Sequence, residues 1–181
     1  MGKLIVWNVV SLDGCFEGAA PWDLSMHNLV WGEELALLSK QTLAQAQAIV
    51  FGRVTYEGMA EYWQKEEGAI ADGMNSVAKA VVSTTLKSAD WRNSRLLRSV
   101  DEVNALKSGS PQPVFVFGSA KLVSALRRAD LVDEYRLCIS PILLGAGAPM
   151  FKPEDPRQTL RLIETRALGN GGVIVRYEPA R

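Results

Sequence analysis

Short apolar segments, each followed by a helical pattern, constrain the fold of this chain more than any other feature. These segments of four to seven residues are rich in β-branched and aromatic side chains, which is typical of strands buried on both faces. The four predicted strands of this kind are residues 4–10, 48–52, 80–83 and 114–117. The predicted helices are near residues 35–46, 53–62, 101–107 and 121–128. This alternation predicts an α/β fold with a mostly parallel central sheet that helices cover on both faces.

The C-terminal third has a different pattern. Residues 134–139 indicate a further strand, and residues 140–151, which contain several Gly and Pro residues, indicate a loop. Residues 160–167 and 173–178 alternate in polarity around the sequence Gly-Asn-Gly-Gly at 169–172, a pattern that favours an antiparallel hairpin. The sheet is therefore expected to end in an antiparallel C-terminal edge.

Length and charge narrow the classes of protein. The chain has 181 residues with no repeat or linker, so residues 1–181 are predicted to form a single domain. Twenty Lys and Arg residues balance twenty Asp and Glu residues, so nucleic acid and an acidic membrane surface are not expected partners. The uncharged residues 137–151 are too few, and too rich in Gly and Pro, for a transmembrane helix of about 20 residues.

The cellular setting is predicted from two further features. The N-terminus lacks a charged segment followed by a long apolar one, so no secretory signal is expected. The two cysteines, Cys15 and Cys138, form no Cys-x-x-Cys pair, so neither a disulfide framework nor a structural zinc site is expected. A reduced, cytoplasmic setting is predicted.

Three strand ends share a composition that suits phosphate binding. They read Phe51-Gly52-Arg53-Val54-Thr55, Val82-Ser83-Thr84-Thr85 and Phe117-Gly118-Ser119-Ala120-Lys121. In parallel sheets such ends meet at one edge, beside helix N-termini. Glycine lets a phosphate approach the backbone, hydroxyls donate to its oxygens, and Arg53 can clamp it with two donors. The three ends together predict a site for a nucleotide with several phosphates; the alternative is ordinary helix capping.

Two other kinds of functional motif, a histidine metal site and a dinucleotide-binding fingerprint, are missing from the sequence. One polar residue also interrupts an apolar strand. His27 is the only histidine, so a metal site built on several histidines is excluded. Gly145-x-Gly147 is followed by Pro149 and opens no helix, so it is not a dinucleotide fingerprint. Asn8 stands in an otherwise apolar strand, where a polar side chain has to be hydrogen-bonded.

Several short motifs together resemble a known family. They are Ser11-Leu12-Asp13-Gly14, Pro21-Trp22, Phe51-Gly52-Arg53-Val54-Thr55-Tyr56-Glu57, Val82-Ser83-Thr84-Thr85-Leu86 and Val116-Phe117-Gly118-Ser119. In this order they resemble the dihydrofolate reductase superfamily. The run Leu131-Val132-Asp133-Glu134 and residues 140–151 resemble stand-alone proteins similar to the reductase domain of bacterial riboflavin biosynthesis. The resemblance covers about residues 3–178 and implies a three-layer α/β/α domain with a mostly parallel sheet and an antiparallel C-terminal edge.

The resemblance also implies NADPH as cofactor, bound across the strand ends. Arg53 would lie near the 2′-phosphate, Ser83 and Thr84 near the adenine ribose, and the backbone near Val9 and Phe16 at the nicotinamide carboxamide. The full implied set is Val9, Phe16, Gly52, Arg53, Val54, Thr55, Ser83, Thr84, Gly118, Ser119, Ala120 and Lys121. The family usually has Gly-Gly where this chain has Gly118-Ser119.

Hydride transfer to a C=N or C=O group needs a nearby proton donor. Dihydrofolate reductases carry an acid after the Pro-Trp motif, and here that position is His27, with Asp23 as the nearest carboxylate. Asp13 in the preceding loop is a third candidate. The substrate-facing residues are predicted to be Asn8, Trp22 and Tyr56, and Met59, Tyr62 and Trp63 could extend the aromatic wall.

Two functions follow as hypotheses. The first is an NADPH-dependent reductase of a small heterocyclic or sugar-like substrate, of the pterin or ribitylamino-pyrimidine class by resemblance. The second is a nucleotide-binding or ligand-sensing domain of the same fold that does not turn over. Relatives of this kind often form dimers, so a homodimer with a small-molecule substrate is expected.

Overall fold

The structure is a computed structural model that describes residues 1–180. Its strands are β1 (Leu4–Ser11), β2 (Cys15–Glu17), β3 (Ala48–Gly52), β4 (Lys79–Val82), β5 (Ser94–Leu97), β6 (Val114–Phe117), β7 (Glu134–Ser140), β8 (Ala148–Pro149), β9 (Leu160–Ala167) and β10 (Val173–Pro179). Its helices are α1 (His27–Val30), α2 (Glu33–Gln45), α3 (Arg53–Trp63), α4 (Ala69–Ser76), α5 (Asp101–Ser108) and α6 (Ala120–Arg128). Within residues 1–180, no helix combines the length and apolar character that crossing a membrane requires.

The main sheet of the described chain has eight strands in the order β5-β4-β3-β6-β1-β7-β10-β9. The strands from β5 to β7 are parallel, and β10 and β9 join as an antiparallel hairpin at the edge. The predicted fold class is therefore confirmed. Because β4, β3, β6 and β1 are neighbours, their carboxyl ends form one continuous edge, as the strand-end composition predicted.

Two apolar layers lie on opposite faces of this sheet. Alternate side chains of β1, Leu4 and Val6, pack with Val123 and Leu126 of α6. The intervening side chains of β1 face the other way and pack with α1 and α2, for which Val30 and Leu35 supply the contacts. Since successive side chains of a strand point to opposite faces, a strand that is apolar throughout requires helices on both sides.

A buried ion cluster joins the C-terminal strands. Glu134 of β7 is 1% exposed and accepts hydrogen bonds from Arg176 Nε at 2.7 Å and Arg136 Nη2 at 3.0 Å. Arg176 also donates to Glu164 of β9 at 2.7 Å. Burial acts to raise the pKa of Glu134, but the hydrogen bonds and charges of Arg176 and Arg136 more than offset it, so the pKa is lowered. The cluster ties β7, β10 and β9 together.

The structure corrects the sequence prediction in the less regular segments. Helix α4 and strand β5 were not predicted, because α4 is short and carries Gly73 and Asn75, and β5 is a half-polar edge strand. The predicted loop at residues 140–151 contains the short strand β8, which pairs with β2. The expected helical cover also ends before β9, whose side chains are all exposed.

Candidate active site

A cavity of about 920 Å³ opens at the carboxyl ends of β1, β3, β4 and β6. One part of it, the phosphate groove, is formed by the strand ends and the residues that follow them. The groove is lined by Val9, Phe16, Gly52, Arg53, Val54, Thr55, Val82, Ser83, Thr84, Gly118, Ser119, Ala120 and Lys121. The whole predicted cofactor set therefore lies along one cavity, although its members come from separate parts of the chain.

The centre of the phosphate groove is bare backbone. Gly52 precedes α3 and leaves the helix N-terminus without a side-chain cap. A Cβ on Gly52 would overlap Ser119 Oγ, and a Cβ on Gly118 would lie 2.7 Å from Thr55 Cγ2. Where the two turns meet, the side chains of Ser119 and Thr55 leave no room for a side chain on either glycine. Uncapped helix N–H groups beside glycine turns are the usual elements of a phosphate site, so these residues fit a nucleotide phosphate.

Ser119, where the resemblance implies a second glycine, has a strained backbone. Its φ of 54° and ψ of 82° are left-handed, a conformation that favours glycine. In return, Ser119 Oγ accepts a hydrogen bond from Leu122 N at 3.4 Å and caps α6. The hydrogen bond that caps α6 therefore offsets part of the backbone strain at Ser119.

Asn8 holds one of these turns in place. Its Oδ1 accepts a hydrogen bond from Gly118 N at 2.7 Å, which confirms the prediction that the side chain of this buried strand residue is bonded. Its Nδ2 is buried and has no partner in the described chain. Because the Asn8 side chain lines the cavity, a ligand acceptor is the natural partner for that N–H.

Two further polar side chains of the groove, Arg53 and Ser83, already have local partners. Arg53 is half-exposed and pairs with Glu57 at 3.0 Å. Ser83 Oγ accepts hydrogen bonds from Thr85 N at 3.2 Å and Leu86 N at 3.0 Å. The Ser83 oxygen thus shapes the turn after β4, and its hydroxyl hydrogen is the part that can be offered to a ligand.

The other part of the cavity, the aromatic chamber, is lined by apolar side chains from β1, α2, α3 and α4 and from the residue that follows α1. They are Trp7, Trp31, Leu35, Leu43, Met59, Trp63, Ile70 and Met74. The residues from α2 and α4 belong to helical stripes that sequence reasoning assigns to the core by default. Only the tertiary arrangement shows that part of these stripes faces an open cavity.

Of the predicted substrate-facing residues Trp22 and Tyr56, only Trp22 lines the cavity. The Trp22 ring lies against α3 at Gly58, where a Cβ would overlap it, and it lines the cavity. Tyr56 does not line it. Tyr56 is 4% exposed, and its hydroxyl accepts a hydrogen bond from Trp91 N at 2.9 Å. The substrate-facing prediction for Tyr56 is therefore wrong, because its ring is part of the core beneath α3.

Of the three candidate proton donors, His27 lines the cavity, whereas Asp13 and Asp23 do not. His27 lines the cavity, and burial lowers its pKa from 6.5. Asp13 lies outside the cavity lining: it accepts hydrogen bonds from Ser11 Oγ and from Leu144 N and Gly145 N, which lower its pKa to about 2. Asp13 therefore fastens one loop to another, and the structure does not bring it to the cavity where a proton donor is needed. The prediction for Asp13 is corrected accordingly.

The prediction for Asp23 is also corrected. Asp23 Oδ1 accepts hydrogen bonds from Ser25 Oγ at 2.7 Å and Ser25 N at 3.2 Å, which lower its pKa, and it does not line the cavity. Glu17 of β2 does line it. No local pattern indicates a role for Glu17, because its position depends on the pairing of β2 with β8.

Comparison with known proteins places the fold in the dihydrofolate-reductase-like class. A protein of Shewanella sp. PV-4, provisionally named for riboflavin biosynthesis, superposes with a TM-score of 0.80 at 19% identity over 99% of both chains. Dihydrofolate reductase from Enterococcus faecalis, in complex with NADP(H), superposes with a TM-score of 0.66 at 16% identity over 99% of this chain and 98% of that one. At these identities the two structures establish the fold.

The family follows from the sequence match. The family model described as the RibD C-terminal domain matches residues 2–174. The chain belongs to this family. The uncharacterised protein YyaP of Bacillus subtilis is 31% identical over 187 residues, which cover 97% of this chain and 94% of YyaP.

Proposed function

We propose that the protein is an NADPH-dependent reductase of a small heterocyclic substrate, with the pterin and ribitylamino-pyrimidine classes as precedents. The observation that carries the proposal is one cavity in which a bare-backbone phosphate groove continues into an aromatic chamber. The family match and the fold shared with a NADP(H)-binding reductase support it. In the proposal, residues 1–181 act as one domain, and the cytoplasmic setting stays a prediction.

In this proposal, different residues of the groove bind different parts of the cofactor. The helix N-termini at Val54 and Lys121 would bind the pyrophosphate, Arg53 the 2′-phosphate, and the backbone near Val9 the nicotinamide. When bound, the cofactor supplies a hydride to the carbon of a C=N or C=O group. The proton for the nitrogen or oxygen would come from water or from His27, the titratable side chain of α1 that lines the cavity.

The experiment that tests the cofactor is a comparison of NADPH with NADH by thermal unfolding. We expect NADPH to raise the Tm well above the effect of NADH, because ligand binding stabilises the folded state and only NADPH carries the 2′-phosphate. Arg53→Ala should weaken NADPH binding about tenfold and leave NADH binding unchanged, since a charge-assisted hydrogen bond contributes about 1.5–3 kcal/mol.

Lys65→Ala is the matched control. Lys65 is an exposed cation that pairs with Glu61 four residues before it, as Arg53 pairs with Glu57 four residues after it, but Lys65 does not line the cavity. It should retain the full NADPH preference. No Tm shift with either nucleotide would refute the cofactor proposal, and a full preference in Arg53→Ala would refute the role of Arg53 alone.

The lowered pKa of His27 predicts a pH dependence. Between the lowered pKa and 6.5 the unfolded chain binds a proton that the folded chain does not, so the free energy of unfolding should fall as pH drops through 6.5. His27→Gln should remove this component. The one histidine of the chain gives a single imidazole signal in NMR, and a titration midpoint at or above 6.5 would contradict the prediction.

A second function is favoured by one specific observation. Asp13 and Asp23 lie outside the cavity lining, so the carboxylic acid typical of dihydrofolate reductases has no counterpart at these positions. A nucleotide-binding or ligand-sensing domain of the same fold would need no proton donor. Loss of the absorbance of reduced nicotinamide in the presence of pterin or pyrimidine acceptors would favour the reductase, and binding without oxidation would favour the sensor.

The exposed edge of the sheet supports a homodimer as part of the proposal. All eight residues of β9 are exposed, and they include Leu160, Leu162 and Ile163, which are 38%, 49% and 37% exposed. An edge strand with apolar side chains pairs readily with another strand. A second copy of the chain is the proposed partner.

A further inference from the structure

We propose that the substrate is a flat, uncharged ring system that carries carbonyl or ring-nitrogen acceptors and no phosphate or carboxylate. This inference rests on the proposed reductase function and concerns the aromatic chamber. Three features of the chamber support it: the distribution of charge along the cavity, the aromatic walls, and the unpaired N–H groups.

The charged side chains of the cavity lining are Glu17, Arg53, Lys121 and Lys152, and none of them belongs to the aromatic chamber. The lysine and arginine residues of the lining are Arg53, Lys121 and Lys152, which come from the start of α3, the start of α6 and the segment after β8. Among the described residues of β1, α1, α2 and α4 that line the cavity, none is a lysine or arginine. His27 does not replace them at neutral pH, because burial lowers its pKa. An anion in the chamber would lose its hydration without gaining a counter-charge, which is costly.

The chamber walls suit a flat ring. Three tryptophans line the chamber from different parts of the chain. Trp7 belongs to β1, Trp31 follows α1, and Trp63 is the last residue of α3. Aromatic side chains contribute large apolar contact areas and prefer offset or edge-to-face contacts with other rings. A phosphorylated sugar would place its polar groups against these rings and against Met59 and Met74.

Two N–H groups predict where the ring carries its acceptors. Trp63 Nε1 and Asn8 Nδ2 are buried and have no hydrogen-bond partner in the described chain, and both side chains line the cavity. A buried donor without a partner costs free energy that a ligand acceptor would recover. Asn8 is bonded to Gly118 of the phosphate groove, whereas Trp63 belongs to the residues of the aromatic chamber, so acceptors at two places on the ring would satisfy both.

A matched pair of probes tests the inference on the full chain saturated with NADP⁺, measured by titration calorimetry. Coumarin is a flat, uncharged ring with a carbonyl acceptor, and coumarin-3-carboxylate adds one negative charge. We expect coumarin to bind at least tenfold more tightly than the carboxylate. Met59→Lys, which places a cation in the chamber, should reverse this preference.

Variants of two neighbouring aromatic residues test the donor. Trp63→Phe keeps an aromatic ring but removes the N–H, and it should weaken coumarin binding about threefold or more. Tyr62→Phe is the control, because Tyr62 packs edge-on against Trp63 at 4.9 Å but does not line the cavity. Its coumarin affinity should equal that of the wild type. Equal losses in both variants would overturn the role of Trp63.

The two levels of the proposal fail in different ways. If neither nicotinamide nucleotide binds, the proposed reductase function fails. If NADP⁺ binds but coumarin does not, or the carboxylate binds as tightly as coumarin, the proposed function stands and the inference about the substrate is overturned.

Discussion

Replacing Glu134 with alanine is expected to lower the free energy of unfolding by about 3–5 kcal/mol, because removal of one partner from a buried ion cluster leaves the others uncompensated. Glu134 is 1% exposed and accepts hydrogen bonds from both Arg136 and Arg176. Without it, Arg136, which is only 14% exposed, keeps its charge in a largely apolar layer. Urea unfolding at neutral pH measures the loss.

Glu164→Gln is the matched control for this prediction. Glu164 binds the same Arg176 at 2.7 Å, but its side chain is 48% exposed. Exposed ion pairs contribute about 0–1 kcal/mol, so this variant should lose no more than that. A loss in Glu134→Ala as small as that in Glu164→Gln would contradict the view that burial makes the cluster important.

The contribution of Glu134 should also depend on pH. Burial alone would raise its pKa, but the partners Arg176 and Arg136 bring it below 4.5. A carboxyl with a lowered folded pKa stabilises the protein fully above its unfolded pKa and loses this effect as pH falls through the folded pKa. The difference in unfolding free energy between wild type and Glu134→Ala should therefore shrink below pH 4.5. A difference that grows in acid would contradict the prediction.

Gly118→Ala is expected to cost about 2–3 kcal/mol of stability and to weaken NADPH binding at least tenfold. The φ of Gly118 is +67°, and a left-handed conformation costs a non-glycine residue about 1–2 kcal/mol. The new Cβ would also lie 2.7 Å from Thr55 Cγ2, an overlap that forces the two turns of the phosphate groove apart. Chemical unfolding and the Tm shift with NADPH measure the two effects.

A second variant separates the two causes. Thr55→Ser removes Cγ2. The double variant Gly118→Ala/Thr55→Ser should therefore regain the stability that Gly118→Ala loses through the overlap, but not the stability that it loses through the left-handed backbone. Thr55→Ser alone serves as the reference. If the double variant is no more stable than Gly118→Ala, the overlap with Thr55 is not a cause of the loss.

Local sequence was sufficient to predict those features for which a residue pattern is compatible with one structure only. Strands β3 and β6 begin and end as predicted, because a short run that is apolar on every side chain is stable only inside a sheet covered on both faces. The requirement that Asn8 be hydrogen-bonded was predicted for a similar reason, and Gly118 N satisfies it. The glycine and hydroxyl residues after the strands indicated the groove because glycine permits close approach of a ligand to the backbone.

Local sequence was insufficient where a residue type suits two environments. Asp13 and Asp23 could have been acids or loop-forming residues, and their hydrogen bonds show that they are loop-forming. Tyr56 could have faced a cavity or the core, and its bond to Trp91, thirty-five residues away, places it in the core. A helical stripe of apolar residues does not reveal whether its neighbour is another side chain or an open cavity.

The sequence by itself determined the α/β architecture, the edge of the sheet that carries the groove, and the residues along it, because these depend on short-range patterns of burial and backbone freedom. The tertiary structure alone decided which polar groups line the cavity, that His27 and Glu17 do so while Asp13 and Asp23 do not, and that an aromatic chamber adjoins the groove. These outcomes depend on contacts between elements far apart in the chain. Such contacts include the pairing of β2 with β8 and the packing of α2, α3 and α4 against the sheet.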